Sequence, residues 1–216
     1  MNIAIDGPAG AGKSTIAKKV AKKLGYIYVD TGAMYRAMAL YFIRIGVSPA
    51  DKAKIDELCV DADISIEYQN GEQVVLLNGE NVTGFLRTEE VGNMASSTSV
   101  NANVRKKLVE LQQKLAASKD VVMDGRDIGT VVLPKAEVKV FLTASSKVRA
   151  QRRFDELIGK GETPDINKIE ADIIDRDERD MNREISPLKQ AEDATFIDSS
   201  YMSIDEVVDE IMALIK

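Results

Sequence analysis

The chain has 216 residues and a formal net charge of −6, from 29 Lys and Arg against 35 Asp and Glu. That length admits one domain with an insertion, and the acidic balance argues against nucleic acid or an anionic membrane as partner. The absence of His excludes histidine-based catalysis and histidine-ligated zinc, and a single cysteine, Cys59, excludes an internal disulfide or a cysteine metal cluster.

The chain opens on a short apolar run, Ile3-Ala4-Ile5, closed by Asp6-Gly7. This start lacks the basic, then apolar, pattern of a signal peptide, and no apolar stretch of about 18 residues follows. With the lone cysteine, these features predict a cytoplasmic protein.

A helix is predicted from about Lys13 to Leu24, stopped by Gly25. Tyr26 to Val29 reads as a strand leading into Asp30-Thr31-Gly32. Met34, Ala37, Met38, Tyr41, Phe42 and Ile45 recur at helical spacing, and Gly46 ends that run. Strand–helix–strand–helix predicts a parallel α/β sheet.

The pattern changes between about Cys59 and Thr98. Ile64, Ile66 and Tyr68 alternate with polar residues, Asn70-Gly71 is a hairpin signal, and Val74 to Leu77 precede a second Asn-Gly pair. A small antiparallel insertion is expected here. Val104, Leu108, Leu111 and Leu115 then form a helical stripe. Val121 to Asp124 reads as a strand followed by a polar loop, Gly125-Arg126-Asp127, and Val138 to Leu142 as another strand. An arginine-rich helix runs from about Ser145 to Ile158, a loop over 159–164, and a long charged helix from about Asn167 to Glu184. Phe196 to Asp198 is the last strand. The final helix carries a capping box, Ser203 with Glu206.

Residues Gly7-Pro8-Ala9-Gly10-Ala11-Gly12-Lys13-Ser14 match the pattern G-x-x-x-x-G-K-[ST], placed between a strand and a helix start. Glycines let backbone N–H groups turn inward onto phosphate oxygens, and the helix aims its positive end at the same place. Lys13 supplies a mobile charge for the β and γ phosphates, and the Ser14 hydroxyl suits Mg²⁺. A nucleotide switch and a non-catalytic nucleotide sensor share this loop. The switch reads guanine with N-K-x-D; the nearest match, Asn167-Lys168-Ile169-Glu170, ends in Glu and opens a helix. A sensor needs no second anion site. Arg36 and Arg126 suggest one, because each follows a strand end at the edge where parallel sheets bind ligands. Arg176, Arg179 and Arg183 recur along the long helix, and Arg149, Arg152 and Arg153 along the earlier one. Guanidinium groups bind phosphate bidentately, although either cluster alone also fits a solvated face laced with ion pairs.

GPAGAGKST (Gly7 to Thr15), DTGAMYR (Asp30 to Arg36), DGRDIGT (Asp124 to Thr130) and RDERDMNR (Arg176 to Arg183) occur in order around the insertion. Together they resemble the bacterial cytidylate kinases, the CMP/dCMP kinases of the nucleoside monophosphate kinase group. The resemblance implies a P-loop kinase fold: a five-stranded parallel sheet of order 2-3-1-4-5, flanked by helices, with the insertion in the NMP-binding region. It implies one domain over 1–216, with NMP-binding about 33–100, insertion about 59–98 and lid about 149–166.

The implied reaction is ATP with CMP or dCMP giving ADP with CDP or dCDP, with Mg²⁺. A kinase of another small acceptor, such as UMP or AMP, is the alternative. By resemblance, Arg36 and Arg126 clamp the acceptor phosphate, Asp127 and Arg105 read cytosine, and Arg183 lies beside the bound CMP. Thr31, where some members have Ser, keeps a hydroxyl at the substrate. Ser96, Arg176 and Asp180 lie on the pentose side. Arg149, Arg152 and Arg153 approach the transferring phosphoryl group. The sequence reading is of a cytoplasmic protein, by default a monomer, without nucleic-acid or membrane partners.

Overall fold

The computed structural model describes residues 1–215. Two units gather in it, Met1–Tyr26 with Asp120–Lys216, and Ile27–Lys119.

The chain starts with strand β1, Asn2–Asp6, whose Ile3, Ala4 and Ile5 are fully buried. A strand buried on both faces reads as a continuous apolar run, as this one does. Helix α1, Lys13–Leu24, buries Ile16, Ala17, Val20 and Ala21 at helical spacing and ends on Gly25. Between them, Gly7 carries φ of 149°.

The second unit begins with β2, Ile27–Asp30, and α2, Thr31–Arg44. Asp30 caps α2 by accepting from the Ala33 N–H at 2.9 Å, so the helix starts at Thr31. Arg36 therefore sits in the second turn of this helix. A short helix, α3 (Lys52–Leu58), is capped by Asp51. Strands β3 (Ile64–Gln69), β4 (Glu72–Leu77) and β5 (Glu80–Asn81) form an antiparallel sheet in that order. Its two tight turns are the Asn-Gly pairs, and Asn70, Gly71, Asn78 and Gly79 all have positive φ, as mirror-image hairpin turns require. The expected insertion is thus present, but strands fill only its middle. Its end is helix α4, Glu89–Thr98, capped by the Thr88 hydroxyl and burying Val91, Met94, Ala95 and Thr98. Helix α5, Ala102–Ser118, buries Val104, Arg105, Leu108, Gln112 and Ala116. Leu111 and Leu115 flank that stripe half-buried, so the buried face admits Arg105 and Gln112 where the spacing suggested leucines.

The first unit resumes with β6, Val121–Gly125, followed by a single π turn, Ile128–Val132. Then come β7 (Val138–Thr143), α6 (Ser146–Gly159), α7 (Ile166–Asn182), β8 (Thr195–Asp198) and α8 (Ile204–Ala213). The Ser203–Glu206 capping box opens α8. Strand β1 runs parallel to both β6 and β7, and β7 parallel to β8. The five-stranded sheet has the order β2-β6-β1-β7-β8. Numbered along the chain, this differs from the expected 2-3-1-4-5, because the insertion places three further strands between β2 and β6. No described helix is long and apolar enough to cross a membrane.

One contact fixes where the loop after β1 departs. A Cβ on Gly7 would lie 1.9 Å from the Leu142 backbone oxygen. Neither that carbonyl nor the φ of 149° tolerates a side chain. Gly7→Ala is therefore expected to cost at least ~3 kcal/mol, the upper range for overpacking, with loss of nucleotide binding. Urea denaturation and nucleotide titration check both.

Candidate active site

The phosphate-loop residues form one wall of a cavity of about 400 Å³, and the opposite wall carries Arg149, Arg152 and Arg153. Lys13 is buried at the first position of α1, and its Nζ donates to the Pro8 carbonyl at 2.7 Å. Burial, reinforced by Arg126, pushes its ammonium down to about 7, while Asp124, Asp6 and Asp180 oppose the fall. Ser14 Oγ donates to Asp124 Oδ2 at 2.9 Å, which places a hydroxyl and a carboxylate together beside the loop.

The three arginines of α6 are not equivalent. Arg149 is buried, donating from Nε to the Ala144 carbonyl and from Nη1 to the Ala9 carbonyl, at 2.8 and 2.9 Å. It also pairs with Asp177 of α7. Arg149 thus braces the phosphate loop from behind while lining the cavity. Arg152 donates to the Ser199 carbonyl at 3.0 Å. Arg153 is exposed and pairs with Glu156, one helical turn on.

A second charged cluster joins the end of β6 to α7. Arg126 Nε donates to Asp180 Oδ2 at 2.8 Å. Arg183 lies 3.6 Å from Asp127 Oδ1, with both side chains almost wholly buried, at 4% and 6% exposure. Burial tends to raise the Asp180 carboxyl, but Arg126, Arg176 and Arg183 outweigh it and hold the group below the ordinary range. The structure therefore brings together Arg126, Asp127, Arg176, Asp180 and Arg183. Arg179 is left outside the cluster, exposed and bonded to its own helix at the Asp175 carbonyl.

In the second unit, Thr31 is buried at the start of α2. Asp30, beside it, accepts from Arg87 at 2.6 Å and exchanges two hydrogen bonds with the Gln73 amide, at 2.8 and 3.3 Å. The hairpin thereby holds the strand end that presents Thr31. Arg105 is buried, donates to the Ser99 carbonyl at 3.1 Å, and lies 5.5 Å over the Tyr35 ring. Ser96 is half-buried on α4, and its carbonyl accepts from Ser99 Oγ at 3.1 Å.

The profile of the family described as cytidylate kinase matches residues 3–216. The chain belongs to the cytidylate kinase family. Curated relatives match along nearly their whole length. A cytidylate kinase of Caldicellulosiruptor bescii is 52% identical over 99% of this chain and 95% of that one. Another, of Shouchella clausii, is 48% identical over 100% of this chain and 96% of that one. Among solved structures, an uncharacterized protein from Eubacterium ventriosum shares the fold, with a TM-score of 0.53 at 13% identity. It covers 100% of this chain and 98% of that one.

Family membership leaves one buried charge to be explained. Asp6 ends the apolar strand β1 and accepts from the Ile128 and Gly129 N–H groups, each at 2.7 Å. Nothing in the phosphate-loop pattern marks it; the available signal was an acid at the end of a wholly apolar run. Burial pushes its carboxyl up to about 6, Asp127 adding to the rise while the two N–H donors and Lys13 pull it down. The folded state thus favours the protonated form. That contribution, about 3 kcal/mol, is complete below the unfolded value near pH 4 and is lost as pH rises through about 6. No His titrates in that window. Denaturation of wild type and Asp6→Asn between pH 3 and 6.5, below the value of about 7 for Lys13, should show wild type losing about 3 kcal/mol relative to the variant. Parallel stability curves would mean that Asp6 ionises as it does in the unfolded chain.

Proposed function

We infer that the chain transfers the γ-phosphoryl group of ATP to CMP or dCMP, giving ADP and CDP or dCDP. The observation that carries this reading is that the cationic cavity and the Arg126–Asp180 cluster occupy one unit, close enough for Arg126 and Asp180 to act on Lys13. Two anion sites within electrostatic reach suit a reaction between two phosphates and are superfluous in a sensor.

The acceptor is itself a phosphate, with a second pKa of about 6, so it is nucleophilic at neutral pH without a general base. Catalysis then rests on alignment and on charge stabilisation, which a chain without His supplies as well as any other. Gly7 to Thr15 and Lys13 hold the donor phosphates. Arg36 and Arg126 hold the acceptor phosphate, with Thr31, Ser96, Arg176 and Asp180 on its nucleoside side. Arg149, Arg152 and Arg153 spread positive charge over the transferring group, Arg149 from a position fixed by Asp177 and the Ala9 carbonyl.

Ser14 and Asp124 offer hard oxygen donors, the chemistry Mg²⁺ prefers when phosphates complete its shell. Among the described residues no group of three acidic or cysteine side chains could hold a metal, which fits an ion shared with the nucleotide. Ser14 would hold it, and the ion would neutralise charge on the β and γ phosphates.

Asp127 and Arg105 read cytosine, and Arg183 lies beside the bound CMP. A carboxylate accepts from the amino group of cytosine and finds no donor at that edge of uracil, so UMP is a poor acceptor. The reading extends to a single kinase domain with its NMP-binding region over about 33–100 and its lid over about 149–166. It also extends to a cytoplasmic monomer that binds neither nucleic acid nor membrane, in keeping with a net charge of −6.

A coupled assay with ATP and a panel of monophosphates tests the acceptor directly, and ADP formation with AMP or UMP in preference to CMP would overturn the reading. Lys13→Ala is expected to abolish turnover. Asp127→Asn should lower kcat/KM for CMP by about 1–3 kcal/mol in transition-state binding while UMP activity falls far less or rises. An unchanged CMP-to-UMP ratio would move base choice to Arg105 or Arg183.

A further inference from the structure

No substrate contact is assigned to Asp6, yet this carboxylate is only 4% exposed at the end of the central strand. Besides its pairing with Phe141 of β7, its contacts lead to one loop. The register of β1 on β6 sets Asp6 opposite Gly125. Its side chain then reaches past the strand end, Oδ1 to the Ile128 N–H and Oδ2 to the Gly129 N–H. One residue thus holds both ends of a two-residue loop, and the two residues are Arg126 and Asp127.

The N–H groups that Asp6 receives are those that open the π turn Ile128–Val132. The first N–H groups of any helical turn lack partners within it, and an Asp just before the turn ordinarily supplies one. Asp127 occupies that position, but its side chain makes no capping bond. Its backbone carbonyl accepts from Val131 and Val132, and its carboxylate lies against Arg183. Asp6 performs the capping instead, so the Asp127 carboxylate is not spent on its own turn. The clamp also leaves little room at Gly129. A Cβ there would come within 3.2 Å of Lys139 Cδ and 3.4 Å of Asp6 Oδ2.

We propose that Asp6 is a positioning residue for acceptor binding, a remote cap that sets the Arg126-Asp127 loop for the phosphate and base of the nucleoside monophosphate. This rests on the assignment of Arg126 and Asp127 to the acceptor. A carboxylate that merely stabilised the fold would affect both substrates alike. One that positions this loop affects the acceptor selectively.

Steady-state kinetics of Asp6→Asn separate the two. The amide keeps one acceptor and turns a donor toward the other N–H, so the loop shifts without a large change of volume. The KM for CMP is expected to rise about tenfold, the scale of a sub-ångström misplacement, and the KM for ATP to rise less, through the lost Asp6 charge near Lys13 that Gly129→Ala retains. The CMP-to-UMP preference should fall with it. Gly129→Ala presses on the same clamp while keeping the carboxylate, and should give the same split with a smaller rise. If Asp6→Asn does not fold, Gly129→Ala decides by the same criterion. Equal changes in both KM values, or a CMP KM within twofold of wild type, would overturn the proposal. Arg126→Ala, measured alongside, shows where a failure lies. A rise in CMP KM there but not in the clamp variants sinks the role of Asp6 alone. No rise even there sinks the acceptor assignment, and the proposal with it.

Discussion

The parallel pairing of β1 with its two neighbours is the constraint on which the site depends. It delivers the phosphate loop and the Arg126-Asp127 loop to the same edge of the sheet, with Ile5 opposite Asp124 and Asp6 opposite Gly125. Against β7 the approach is so close at Gly7 that the loop has one direction in which to leave. Parallel strands place their C-terminal ends together, and the groups that need to meet are carried by the residues just past those ends. A slip of one residue would exchange the faces of every side chain and part Ser14 from Asp124.

Charge balance is the second organising feature. The cations of the site are held by acids or carbonyls: Arg126 by Asp180, Arg183 near Asp127, Arg149 by Asp177 and Lys13 by the Pro8 carbonyl. Buried charge is costly unless paired, so the site is stable only because its acids and bases neutralise one another.

Much of this was legible in the sequence, for reasons tied to particular residues. The phosphate loop is a local pattern whose chemistry needs each of its residues in place, and the Asn-Gly turns announce the antiparallel sheet. The α/β alternation follows from the apolar runs. What escaped was decided by tertiary contact. Helix α3 has only seven residues and little periodicity to detect. Helix α4 was absorbed into the strand-rich insertion, although Thr88 and the acids after it are a helix start. The buried face of α5 contains Arg105 and Gln112, polar residues that no apolar stripe reveals. At the site, α7 bears arginines at regular intervals, but only the fold separates Arg176 and Arg183 from the exposed Arg179. Asp6 looked like a strand terminator because its partners lie more than a hundred residues away.

The brace formed by Arg149 also bears on how such a sequence drifts. This one side chain joins the phosphate loop at Ala9, the start of its own helix at Ala144, and Asp177 on α7. Replacing either charge alone strands the other in a nearly dry setting, so neither position has a viable single-step neighbour of opposite sign. Only a paired exchange would preserve neutrality, and that exchange would leave the loop carbonyl without its planar donor. The outer faces of α6 and α7 carry no such obligation. Substitution therefore costs little on those outer faces and much along the inner seam between the two helices, where the loop it supports is destabilised with it.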